Sequence, residues 1–312
     1  MPDVTCVGVL VADVIVWPVN SWPEPGRLIR VDGVEVHSGG LAHSTAVALA
    51  KLGKTAAVVG RVGSDLLGTF LIDALHAHKV ESHVVRDEAA PTSTTVVAVS
   101  GSGERSFLHL AGANAHLVPQ DVPVGLTRAS RWLHLGGYFL LPNLDGVPAA
   151  QLLRRAKEAG CRTSLDVAWD AQSRWFHVFE PCLPYLDLLF GNRDELAHVT
   201  GASTPSEMAA FLRERGPEIV AVKLGPEGAY VDSDEWRGHA PAYEVDAIDT
   251  TGAGDTFCAG FLAGCLEGWD IPRVTRFANA VGAMCVTAVG GTTGIRSMEE
   301  TIRFADGTPF RS

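Results

Sequence analysis

One short run holds most of the chemistry that this chain of 312 residues could perform: Asp249-Thr250-Thr251-Gly252-Ala253-Gly254-Asp255-Thr256-Phe257. A glycine-rich turn opens there directly into an apolar helical stretch, Phe257 to Leu266. Glycines let a backbone come close to a ligand. The first N–H groups of a helix have no intrahelical partner, and its dipole favours an anion. Together they make a cradle for a phosphoryl group. Asp255 is out of place in such a cradle, because a carboxylate repels a phosphate. It is either a helix cap, a role Asp suits, or a general base that takes the proton of an attacking hydroxyl. Such a base contributes on the order of 10²–10⁴ in rate.

Other phosphate and nucleotide loops are absent. Gly53-Lys54-Thr55 resembles the end of a Walker loop, but Ala48 stands where that loop needs glycine, and the segment passes from helix to strand, the wrong order. Phe257 stands where a dinucleotide fingerprint would place its third glycine. Asn192 and Glu195, three apart after an apolar run, read as a helix cap, and that spacing also sets both on one face. Val222-Lys223-Leu224-Gly225-Pro226-Glu227-Gly228 reads as a strand and a turn. Asp13 interrupts the run Val-Leu-Val-Ala-Asp-Val-Ile-Val, where a carboxylate is costly unless it is satisfied, so it reads as a ligand contact. His76 and His78 fall on different faces of a helix, and no zinc site is expected.

These residues must be held by a regular scaffold. Strands are predicted near Thr5–Leu10, Ala56–Val59, Arg131–Leu135, Arg162–Asp166, Leu186–Phe190 and Ile219–Leu224. Helices are predicted near Leu41–Leu52, Leu66–His76, Val147–Ala159, Asp194–Thr200, Pro205–Arg215, Gly254–Leu266 and Val274–Val286. The alternation implies an α/β fold, a doubly wound and mainly parallel sheet covered on both faces, in one domain over residues 1–312. Two stretches break it. Arg27 to His37 alternates polar and apolar residues, and Thr92 to Leu110 reads as two strands around Gly101-Ser102-Gly103. With no helix to cover them, they imply a small β-sheet lid built from about residues 14–38 and 92–111.

Composition bounds the partners. Hydrophobic residues make up 46% and charged residues 20%, enough for a large core. A net charge of −11 speaks against an open nucleic-acid-binding surface. The run Val7 to Pro18 is too short to span a membrane and carries Asp13. The start lacks a basic signal segment. Six cysteines without a Cys-x-x-Cys pair fit buried thiols in a reducing cytoplasm.

The run Asp-Thr-Thr-Gly-Ala-Gly-Asp-Thr-Phe-x-Ala-Gly-Phe resembles the C-terminal motif of the PfkB/ribokinase family of carbohydrate and nucleoside kinases. An N-terminal motif is similar too: Gly39-Gly40, then Ala46, Leu49, Leu52 and Gly53, followed by Val-Val-Gly-Arg-Val-Gly-Ser-Asp-Leu-Leu-Gly at 58–68. The resemblance implies an ATP- and Mg²⁺-dependent sugar kinase with Asp255 as base and the amides of Gly252, Ala253 and Gly254 as anion hole. Losing one such donor costs roughly 10²–10³ in rate. It implies that Asn192 and Glu195 organise Mg²⁺ and phosphate through water. It places Lys223, Gly225, Gly228 and Asn279 at ATP. Asp249 and Thr251, with carbonyls around Cys285, Gly290 and Gly294, would hold K⁺. The acceptor would meet Asp13, Gly39, Gly40 and Ser44.

Two departures bear on the acceptor. Ser44 stands where the family usually has Asn, which changes the grip on a diol or leaves that task to His43. Leu135-Gly136-Gly137-Tyr138-Phe139 lacks the acid that ribose-specific members carry. Arg105 reads as a solvated hairpin residue, with an anionic acceptor as the alternative. A nucleoside kinase, with Phe107 stacking on a base, is the second reading, and a non-catalytic ligand sensor on the same fold is the third. A homodimer through the lid is expected, since projecting sheets tend to pair.

Overall fold

The apolar run near the N-terminus is divided between two sheets. β1 (Val4–Gly8) enters one and β2 (Val11–Trp17) enters the other, in a computed structural model that describes residues 1–311. The chain continues through β3 (Gly33–Gly39), α1 (Leu41–Lys51), β4 (Ala56–Gly63), α2 (Leu66–Ala77), β5 (Glu81–Asp87), β6 (Thr94–Val99) and β7 (Arg105–Leu110). Next come α3 (Val124–Ala129), β8 (Trp132–Tyr138), α4 (Val147–Glu158), β9 (Arg162–Val167), α5 (Trp175–Phe179), β10 (Leu188–Asn192), α6 (Arg193–Thr200) and α7 (Pro205–Arg213). The last part holds β11 (Ile219–Lys223), β12 (Ala229–Asp232), β13 (Arg237–Ala240), α8 (Ala253–Leu266), α9 (Ile271–Cys285) and α10 (Met298–Gly307).

The large sheet has nine strands in the order β13-β12-β11-β10-β9-β8-β1-β4-β5. From β11 to β5 every neighbouring pair is parallel, and β12 and β13 add an antiparallel edge. Side chains alternate between two apolar cores. Leu188 and Phe190 of β10 join the core beneath α1, α2, α8 and α9, whereas Leu189 joins the core beneath α4, α6 and α7. This period of two makes a strand buried on both faces read as a continuous apolar run. Small residues let α8 and α9 meet closely: a Cβ at Gly260 would lie 2.9 Å from the Cα of Ala278. The strands β5, β12 and β13 and the helix α10 were not anticipated from the sequence.

The second sheet has the order β3-β2-β6-β7. It covers the stretches expected to form the lid, with two adjustments. β2 begins at Val11, and in the stretch expected from Arg27 to His37 the strand starts only at Gly33. Residues 18–32 lie outside strands because three of them are prolines, which cannot donate to a ladder. Asp13, Thr95 and His37 are aligned across β2, β6 and β3 and face the large sheet's domain with Ile15, Val97 and Phe107. The opposite face carries Val14, Val16, Val34, Val36, Val96, Ala98, Leu108 and Leu110, of which Val34, Val36, Leu108 and Leu110 are exposed. Among the described residues, no helix is long and apolar enough to cross a membrane.

Candidate active site

The parallel strands all deliver their C-terminal ends to one crevice, the usual place for a ligand in an open α/β sheet. Asp166 lies near the end of β9, Asn192 ends β10 and Lys223 ends β11. The run Asp249–Asp255 crosses above them and starts α8. Its turn is made at Gly252, whose φ of 74° is left-handed and whose Cβ, if present, would lie 2.5 Å from the carbonyl oxygen of Gly291. Only glycine fits there. The helical i→i−4 pattern begins with Thr256 N–H donating to Gly252 O at 2.9 Å. The amides of Ala253, Gly254 and Asp255 therefore lie ahead of it, with Ala253 N–H making only a long 3.3 Å contact to Thr250 O.

This loop separates two cavities. The smaller, about 190 Å³, lies under the lid and is lined by Asp13, Ser44, Thr95, Phe107, Gly252 and Asp255. His37, Gly39 and Gly40 complete its wall. The larger, about 390 Å³, lies behind the loop and is lined by Lys223, Gly225, Gly228, Tyr243, Gly254, Phe257 and Asn279. Thus Asp255 faces one side of the wall and Gly254 faces the other.

The smaller cavity is built around Asp13. Gly39 is glycine because a Cβ there would meet the Asp13 Oδ2 at 2.4 Å. Burial pushes the Asp13 carboxyl up to about 6, with the Asp249 charge adding to it, while Thr95 and His37 pull it down. Ser44 reaches the cavity, but His43 does not. His43 points into the core, is 1% exposed and has no hydrogen-bond partner on either ring nitrogen. It sits on the wrong side of α1 to take over the expected Asn's task. Burial holds its imidazole down at about 4.

Beneath the loop lies a buried charge cluster. Lys223 Nζ donates to Asp166 Oδ1 and Oδ2 at 2.7 and 2.8 Å. Asp255 is pushed up to about 7, by burial first and then by the Asp166 charge, with Lys223 acting against both. Glu195 is likewise raised to about 7, chiefly by burial. Asn192 and Glu195 form a reciprocal cap on α6: Glu195 N–H donates to Asn192 Oδ1 at 2.8 Å, and Asn192 N–H donates to Glu195 Oε2 at 3.0 Å. The capping role exists, and the cap leaves Glu195 in the acidic cluster. Asn279 donates to the carbonyls of Ala240 and Pro241 at 2.9 and 3.1 Å, so its amide fixes one wall of the larger cavity.

Two residues of this site were missed from the sequence. Asp166 follows Arg162, Thr163 and Ser164 in its strand, so no apolar run marked it as Asp13 was marked. Arg105 was read as solvated, yet its Nη1 donates to Asp249 Oδ1 and to Thr251 Oγ1, each at 2.8 Å. It lies on the face of β7 that carries Phe107, two residues on, so it turns inward. Asp249 and Thr251, the pair expected to bind a monovalent cation, thus meet a guanidinium. Asp249 is held below the usual carboxylate range; burial opposes this, and the N–H groups of Gly290 and Thr251, with Arg105, prevail.

The family model for pfkB family carbohydrate kinases matches residues 1–298. The aminoimidazole riboside kinase of Salmonella typhimurium is 31% identical over 270 residues, which cover 82% of this chain and 84% of that protein. The ribokinase of Haemophilus influenzae is 28% identical over 308 residues, covering 97% of this chain and 98% of that one. Among solved structures, Arabidopsis thaliana ribokinase complexed with ribose and ATP superposes with a TM-score of 0.83 at 25% identity, covering 97% of this chain and 98% of that one.

Proposed function

The chain belongs to the pfkB family of carbohydrate kinases, and from that premise we propose that it transfers the γ-phosphoryl group of ATP to a hydroxyl of a monosaccharide held in the cavity at Asp13. The observation that carries this reading is the loop between the two cavities. It presents Asp255 to the acceptor and its glycine backbone to the nucleotide.

In this reading ATP fills the larger cavity, past Gly225 and Gly228 and against Asn279. Asp13 and Ser44 hold sugar hydroxyls, with Gly39 and Gly40 giving room. The hydroxyl nearest Asp255 loses its proton to that carboxylate as its oxygen attacks phosphorus. A base pushed up to about 7 is matched to this task at neutral pH. The amides of Gly252, Ala253 and Gly254 hold the transferring oxygens, and positioning with charge neutralisation supplies most of the rate.

Among the described residues no three carboxyl, imidazole or thiol groups are placed to hold a metal ion directly. Mg²⁺ would be held chiefly by phosphate oxygens and water, beside the charge cluster of Asp166, Glu195 and Asp255. Glu195 and Asn192 would hold the ion through water, and the ion would neutralise phosphate charge. K⁺ at Asp249 and Thr251 would share the carboxylate with Arg105. Turnover indifferent to replacing K⁺ by a large organic cation would remove K⁺ from this reading.

Phe107 favours a second reading. It stands at the cavity mouth, 62% exposed, with an aromatic face that a nucleoside base could cover. ATP consumption measured against pentoses, hexoses, sugar acids and nucleosides decides between them. The first reading expects turnover with a monosaccharide, and turnover confined to nucleosides would replace it by the second. We also propose that two copies pair through the outer faces of their lids, in the cytoplasm.

A further inference from the structure

The lid and the phosphoryl loop are joined by one side chain. Arg105 stands at the start of β7, paired with Val99 next to the hairpin turn. Its partners, Asp249 and Thr251, lie 144 and 146 residues away in sequence and immediately precede Gly252. Asp249 is itself a junction. Its Oδ1 also accepts from Thr251 N–H at 2.8 Å, and its Oδ2 accepts from Gly290 N–H at 3.0 Å. Gly290 precedes Gly291, against which the turn at Gly252 packs. Three segments therefore converge on one carboxylate that is almost fully buried: the lid tip, the start of the loop and the 290 turn.

A buried carboxylate that loses a charged partner pays a desolvation penalty of several kcal/mol unless something moves. The Asp249 side chain is 1% exposed and that of Arg105 is 27% exposed. Removing the guanidinium, or lifting the lid that carries it, leaves Asp249 with no charged partner, only the N–H groups of Gly290 and Thr251 and the Thr251 hydroxyl. The residue with freedom to respond is Thr251, whose hydroxyl has lost the Arg105 contact too and which is directly bonded to Gly252. Displacements of about 1 Å in such a place cost about 10²-fold in rate.

We propose that Arg105 is a positioning residue that latches the lid to the phosphoryl loop, so that the loop's amides reach working geometry only with the lid down. The latch rests on the kinase reading above. It makes phosphoryl transfer conditional on a covered acceptor and keeps ATP from water when the acceptor cavity is open. The guanidinium supplies the positive charge that Asp249 requires, from within the chain.

The test uses the full chain and the variants Arg105→Ala and Arg105→Lys. Hydrogen exchange of the amides at 249–256 is compared with exchange at 100–110, without any substrate. The latch requires that Arg105→Ala speeds exchange in both segments; acceleration confined to the hairpin would overturn it. With an acceptor that supports turnover, Arg105→Ala lowers kcat by about 10²-fold and leaves the KM for ATP within a few-fold. Arg105→Lys, or millimolar guanidinium added to Arg105→Ala, restores part of the loss. Unchanged kcat, or a loss that neither restores, would overturn the latch. Absence of turnover in the wild-type chain would defeat the kinase reading alone, since the exchange comparison still decides the latch.

Discussion

The ammonium of Lys223 lies within 2.7 and 2.8 Å of the two oxygens of Asp166, so the cation that favours the charged form of Asp255 is shared with the strongest local source of repulsion on it. Burial works against the charge of Lys223, and Asp166 outweighs it, so the lysine stays charged through the neutral range. The two partners act on Asp255 with opposite signs. Lys223→Met removes a stabilising charge, so the acid limb of the kcat/KM profile moves to higher pH. Asp166→Asn removes a repelling charge, so that limb moves to lower pH. Profiles that shift the same way in both variants would refute this account of the base.

Asp255→Asn separates catalysis from stability. Turnover falls by on the order of 10²–10⁴, because an amide cannot take the proton of the attacking hydroxyl. Stability moves the other way. The carboxyl titrates near 3.8 in the unfolded chain and at about 7 when folded. Below 3.8 both states are neutral, and the favourable contribution of the protonated acid is complete. As pH rises toward 7 the unfolded state releases its proton first, and that contribution is lost. The Asn variant does not titrate. Its melting temperature therefore gains on that of the wild type between about pH 4 and pH 7. Melting curves across that range check it, and a difference that is constant or reversed in sign would show that Asp255 is not raised.

The scaffold was legible because its strands are buried on both faces and its helices carry their caps locally. Asn192 and Glu195 announce α6, and Gly40 and Gly252 stand at the starts of α1 and α8. The glycine turn into α8 was legible for the same reason, since one continuous run holds Gly252, the first amides of the helix and Asp255. The rest depends on residues brought together from afar. Asp166 and Lys223 are 57 residues apart and Arg105 and Asp249 are 144 apart, and neither pair leaves a local pattern. The edge strands β12 and β13 are four residues each, too short for a period to declare itself. His43 failed as a candidate because a helical step of one residue turns a side chain about 100° away from its neighbour Ser44.

Gly39→Ala tests the acceptor side without touching the base. The new methyl would meet Asp13 Oδ2 at 2.4 Å, and the carboxylate must swing away from its place in the cavity. A hydrogen bond to a charged group contributes about 1.5–3 kcal/mol, roughly tenfold to a hundredfold in KM for the acceptor. KM for ATP stays close to that of the wild type, because Gly39 lines only the smaller cavity. Asp13→Ala raises the acceptor KM similarly, and the double variant is no worse than Asp13→Ala alone. Additive losses would mean that Gly39 acts on the acceptor by another route.

The proposed pairing of two copies is tested at the outer face of the lid. Eight of its positions, Val14, Val16, Val34, Val36, Val96, Ala98, Leu108 and Leu110, are aliphatic, beside Thr94 and Ser106, and Val34 is 59% and Leu108 is 55% exposed. An apolar sheet face of this kind is costly in water and marks a contact surface. A second copy is the matching occupant, because sheets pack face to face through aliphatic side chains such as these. Light scattering on the eluting protein should give twice the mass of the chain. Leu108→Glu places a charge at the centre of that contact and should give the mass of one chain, with melting temperature little changed, because the side chain points away from both cores. A wild-type chain that elutes with single-chain mass at micromolar concentration, or a Leu108→Glu variant that keeps the double mass, would rule out pairing through this face.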